Sequence, residues 1–165
     1  MLNDWKKVIE NIRNTINKDG ISENNKRIEL SQHIPTLKAY LTETDHDIIR
    51  NTIQICSDLY PFIFSQSCRY PKDMHESYTT FKQIKNLIIE FLKTSNDCIK
   101  INSLKFLSVL IQVQTAADPN NKNTTKNDVS LEICPPNHPY LDTEQLAIES
   151  KQYFDVLTHL ILSEK

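Results

Sequence analysis

The residues able to do chemistry are few, and their spacings mostly fail the chemistry they hint at. Cys134 and His138 stand four apart, as two ligands of a zinc finger do. A structural zinc site needs a second pair of comparable spacing, and the sequence offers none. Pro135, Pro136 and Pro139 stiffen the segment, which reads more simply as a structural arm. His46 lies between Asp45 and Asp47 and resembles an acid–base cluster on paper. The same triplet makes a good helix start, because carboxylates favour the positive end of a helix. No serine or cysteine sits in a glycine-flanked nucleophile elbow, and Cys68-Arg69 alone carries no chemistry. The expectation is a protein without catalysis, metal or cofactor.

One constellation is more informative. Residues 97–115 are apolar almost all round, through Ile99, Ile101, Leu104, Phe106, Leu107 and Leu110. A helix of that kind is buried on most sides, so its polar residues are conspicuous. Asn102, Lys105, Ser108 and Gln112 recur at three, three and four, which puts them on one narrow edge. That edge is either the solvated margin of a core helix or a partner-binding strip. A lysine with its stem on an apolar wall and its ammonium free suits a carboxylate or a backbone carbonyl. Asn51, Gln54 and Asp58 form a second polar edge, on the helix starting near Asp45. It does not superpose on the first under a fifty-residue shift; Asn51 and Gln54 are nonetheless assigned to the same binding face.

These side chains need a scaffold, and composition narrows its class. The chain has 165 residues, a formal net charge of −2, 39% apolar and 24% charged residues, which fits one domain, residues 1–165, with a real core. It holds a single glycine, Gly20. A phosphate-binding P-loop and a dinucleotide fingerprint each need several glycines, so both are excluded. A many-stranded sandwich, with a turn every ten residues or so, is disfavoured as well. No run of about 18 uncharged apolar residues spans a membrane. The segment MLNDWKKVIENIR has acids in its first turns and no small-residue cleavage site, unlike a signal or transit peptide. Cys56, Cys68, Cys98 and Cys134 lie far apart, as small buried hydrophobes of a reducing compartment do. Residues 66–127 carry nine Lys/Arg against five Asp/Glu, and residues 128–165 carry two against seven. The acidic last third argues against direct nucleic-acid binding.

Apolar spacing predicts six helices. Leu2, Trp5, Ile9, Ile12 and Ile16 give one over 3–18, stopped by Gly20. A second follows Ser22, with Pro35 predicting a kink or two pieces. The third starts near Asp45, and Pro61 predicts a kink or an early end. The fourth follows Pro71; Tyr78, Phe81, Ile84, Ile88 and Phe91 form its inner stripe, opposite Lys82, Lys85, Asn86 and Lys93. The fifth is the apolar rod. Residues 117–128 read as a solvated loop, and residues 129–141 alternate before three prolines, as an extended arm does. Asp142 caps the sixth helix, with Leu146, Tyr153, Leu157 and Leu160 facing inward, assisted by Phe154 and Ile161.

Asp47-Ile48-Ile49-Arg50 and Asp97-Cys98-Ile99-Lys100 each open an apolar helix, fifty residues apart. That period, with two helices per unit, points to an all-α, HEAT/armadillo-like superhelix. The segment NDCIKINSLKFLSVLIQ and the stretch DVSLEICPPNHPYLDTEQLAIESKQYFDVLTHLI resemble the N-terminal domain of symplekin and its fungal counterpart. HIPTLKAYLTETDHDIIRNTIQICSDLYPFIF is similar to the fungal members, with Pro35 and the Tyr60-Pro61 pair. The likeness runs over residues 30–163. It implies a nuclear, non-catalytic scaffold of the mRNA cleavage and polyadenylation machinery. It implies that the concave face binds, and promotes, a phosphatase acting on the C-terminal domain of RNA polymerase II, among other factors of the complex. Lys105 occupies the position of the motif lysine that contributes to this interface in the family. Two other functions stay open: a purely structural repeat segment of a larger scaffold, and an RNA-binding helical repeat.

Overall fold

A computed structural model describes residues 4–117 and 143–163. The loop 117–128 and the arm 129–141 therefore lie, apart from the last helical residue Ala117, outside the described residues, as do Cys134, His138 and Asp142. Within them the fold is all-α, a stacked helical repeat without strands: α1 Trp5–Asn17, α2 Glu23–Tyr40, α3 His46–Arg69, α4 His75–Glu90, α5 Asp97–Ala117 and α6 Thr143–Ser163.

Local signals set the helix ends. The Ser22 hydroxyl accepts from the Asn25 backbone N–H at 3.1 Å, Asp45 accepts from the Asp47 N–H at 2.9 Å, and Asn96 Oδ1 accepts from the Ile99 N–H at 3.0 Å. Each satisfies a donor that a helix start leaves without an internal partner. Gly20 turns the chain between α1 and α2 at φ +87, a left-handed conformation that side-chain-bearing residues rarely adopt. Neither proline splits its helix: α2 runs through Pro35 and α3 runs eight residues past Pro61. Each proline removes one backbone bond, and packing against the neighbouring helices outweighs that loss. Pro61 leaves the Ser57 carbonyl without its α-helical donor, four residues back.

The helices form two layers. α1, α3 and α5 lie side by side, and α2 and α4 back them; α6 packs along α5. Residues equivalent under the fifty-residue shift meet where α3 and α5 begin, Asn96 Nδ2 lying 2.9 Å from His46 Nδ1. Ile12, Leu30, Ile34, Leu37, Ile53 and Leu59 are fully buried between the layers. Each such side chain contributes about 1.5–3 kcal/mol relative to exposure. Tyr60, Phe64, Phe81 and Phe106, from three helices, pack with ring centroids 5.7–6.5 Å apart.

The core also contains polar groups that periodicity alone misplaces. Lys85 is not on a solvated face of α4. It is buried, and its ammonium lies 3.1 Å from Glu149 of α6, whose side chain is 0% exposed. Gln145 Nε2 also donates to Glu149, at 3.2 Å. Gln114 Nε2 donates to the Tyr60 hydroxyl at 3.0 Å, and Tyr78 is hydrogen-bonded to the same hydroxyl. Burial, reinforced by Tyr78, keeps that hydroxyl well above the usual tyrosine range, as a neutral phenol. α6 differs from expectation on a further point. Leu146, Tyr153, Val156 and Leu160 pack against the core, whereas Phe154 and Ile161 are exposed, at 61% and 58%. A helix touching the body along one side has no inner surface left for them.

The pair yields a first prediction. Lys85→Met should cost about 3–5 kcal/mol in urea unfolding, because it strands a buried carboxylate. Adding Glu149→Leu should recover most of that loss; a double variant as weak as the single one contradicts this account. Cys56 supplies a second. It is fully buried, and burial pushes its thiol far above the usual range, so no thiolate forms near neutrality. A thiol reagent at pH 8 should modify exposed Cys98 promptly, and Cys56 only after unfolding.

Candidate functional site

The polar edge of α5 opens onto a groove of about 910 Å³. Its size falls in the range of ligand and anchor pockets. Polar residues of α3 and α5 form one wall: Gln54, Ser57, Asp58, Lys105 and Ser108. Tyr153, Leu157, Leu160 and Ile161 of α6 form the other, which is mainly apolar. Arg13 of α1 closes one side.

Lys105 is exposed on this groove, and no ion pair engages it among the described residues. Leu104 and Val109 line the groove beside it, so the exposed lysine has partly apolar surroundings. Asn102 sits deeper, 7% exposed. Its Nδ2 donates to the Cys98 carbonyl at 2.7 Å, while its Oδ1 is buried with no hydrogen-bond partner among the described residues. An orphaned buried acceptor costs free energy and is unusual in a settled core. Ser108 is half-buried in the groove, and Gln112, one turn on, is exposed outside its lining.

The α3 edge divides between two cavities. Gln54 reaches the same groove as Lys105. Asn51 lies instead in a smaller one, about 340 Å³, between α1 and α3, where its Nδ2 donates to the Asp47 carbonyl at 2.7 Å. Arg13 lines both. Four residues proposed from sequence (Asn102, Lys105, Ser108 and Gln54) thus share one groove, and Gln112 and Asn51 do not. The contributions of Arg13 and of the α6 wall had no sequence signal: Tyr153, Leu157 and Leu160 carry the same apolar pattern whether they fill a core or line a cleft.

Among the described residues no group of three or more His, Cys, Asp or Glu is placed to hold a metal, and no helix is long and apolar enough to cross a membrane. A stacked-helix wall with an amphipathic groove on one face defines a helical-repeat protein. Over residues 45–165 the sequence matches the Symplekin/PTA1 N-terminal family, and the chain belongs to that family. A curated relative is the mRNA cleavage and polyadenylation specificity factor complex subunit pta1 of Schizosaccharomyces pombe, 28% identical over 125 residues. The alignment takes in 75% of this chain and 18% of that protein, so the chain spans about a fifth of the relative's length.

The orphaned Asn102 acceptor generates a test. Asn102→Leu keeps volume and removes the unpaired oxygen, so stability should stay within about 0.5 kcal/mol of the parent or rise. Denaturant unfolding measures this. A loss above about 2 kcal/mol would mean that the carboxamide has a structural partner.

Proposed function

We propose that this chain is a non-catalytic docking domain in mRNA 3′-end processing. It works in the nucleus, among the subunits of a cleavage and polyadenylation complex, and receives a phosphatase of the RNA polymerase II C-terminal domain. The phosphatase sits on the groove between α3, α5 and α6 and is promoted in its activity there. Membership of the Symplekin/PTA1 N-terminal family supports the setting. The S. pombe relative is named as a subunit of such a complex. The observation that carries the docking mode is the exposed Lys105 ammonium, which has no ion-pair partner among the described residues, on a partly apolar groove.

The physics of the reading is simple. An ammonium that is exposed, and free of ion pairs among the described residues, has no such bond to break before it meets a carboxylate or carbonyl. The apolar α6 wall supplies non-directional attraction, and the polar wall sets orientation. A preformed wall of stacked helices lowers the ordering cost of association.

Calorimetry with the purified phosphatase tests it. Lys105→Ala should weaken binding about tenfold or more, the scale of one charge-assisted hydrogen bond, with the melting temperature nearly unchanged. Wild-type affinity in that variant rejects the docking mode. No complex even with the parent chain favours a segment that contacts only its own scaffold.

A further inference from the structure

The smaller groove between α1 and α3 has a chemistry of its own. Lys6, Arg13 and Arg50 line it, together with Trp5 and Ile9 as an apolar side. Two acids line it as well, Glu10 and Asp47, and each is tied to an arginine of its own helix one turn away. Arg13 Nη1 lies 3.1 Å from Glu10, and Arg50 Nη2 lies 3.3 Å from Asp47. The two arginine side chains are 40% and 41% exposed, and pairs so wet are weak and readily exchanged. Lys6 has no acid partner among the described residues; its ammonium rests 5.6 Å from the centroid of the Trp5 ring.

We propose that this groove docks a phosphorylated serine or threonine side chain of a peptide segment. Three cations from two helices surround one cavity, and the two guanidiniums each keep N–H donors beyond the one used by the neighbouring acid. A carboxylate is satisfied by a single guanidinium fork; a dianion with three acceptor oxygens matches a site lined by three cations. Charge favours this occupant, because the lining carries three positive groups against two negative ones. The cavity, about 340 Å³, holds a residue and its neighbours rather than a lone ion, and Trp5 and Ile9 offer a wall for the peptide's apolar atoms. Glu10 and Asp47 oppose a dianion, so the peptide must displace them from the arginines, and low salt should favour its binding. The site does not depend on Lys105 or on the phosphatase, and stands or falls separately.

Trp5 is the sole tryptophan of the chain, so its emission reports on this groove directly. The chain is titrated at low salt with a hexapeptide carrying one phosphoserine, with the unphosphorylated hexapeptide, and with inorganic phosphate. A saturable change is expected with the phosphopeptide alone. Arg13→Gln and Arg50→Gln should each weaken it about tenfold or more, with far-ultraviolet circular dichroism unchanged. Lys6→Gln replaces either variant that fails to fold. The proposal is overturned by no saturable change, by an equal response to the unphosphorylated peptide, by inorganic phosphate matching the phosphopeptide, or by unaltered affinity in the folded variants.

Discussion

The main groove depends on a largely buried ion pair, whose carboxylate side chain is 0% exposed. Glu149 must have a cation, because an unpaired carboxylate in a dry interior is prohibitive. Only one rotation of α6 brings it to Lys85, at 3.1 Å. Turning α6 by a single residue, about 100°, would carry Glu149 out of the interior. With Glu149 seated, Tyr153, Leu157 and Leu160 necessarily face the cleft beside α5. A pair of this kind adds little net strength over a well-packed apolar contact. What it contributes here is the setting of a helix: apolar residues tolerate several rotations, and a buried charge tolerates one.

The opposite wall is governed by packing. α5 lies against α3, buried through Ile99, Phe106, Leu107 and Leu110. Lys105 and Ser108 are groove-side positions of α5 that the core does not consume, while Leu104 belongs to both. Asn102 marks the boundary, with one amide group used inside its own helix and the other left over. The two grooves meet at Arg13, so the face formed by α1, α3, α5 and α6 is a connected relief with a cation at its crossing.

Much of this was legible in the residues, for identifiable reasons. Helix positions followed from 3–4 spacing, and starts from short polar caps such as Ser22 and Asp45, because both are local effects. The exposed Lys105 edge followed because α5 is otherwise apolar, which leaves few solvated directions. Lys85 was not legible: on α4 it shares the helical wheel with solvated lysines, and its partner lies 64 residues away on a helix whose approach no local pattern encodes. Of the two outcomes the prolines predict, a break is the one excluded, since neither helix is divided or ended there. Their local penalty is real, but Pro35 and Pro61 stand in helices held on several sides, and tertiary contacts outweigh a propensity of that size. Asn51 illustrates a third limit, since a register within one helix does not say where the boundary between two clefts will fall.

The four-ring cluster of Tyr60, Phe64, Phe81 and Phe106 has a mechanical consequence. A solenoid whose units touch only at their seams yields like a coil spring, by small slips at each seam. Here the seam between the α3–α4 pair and α5 is filled by rings from both sides, Phe81 and Phe106 standing 6.5 Å apart with Tyr60 against each. Bending there requires prying those edges apart, which forfeits dispersion over large flat surfaces. Those rings therefore resist bending at this seam more than a seam lined by small side chains would.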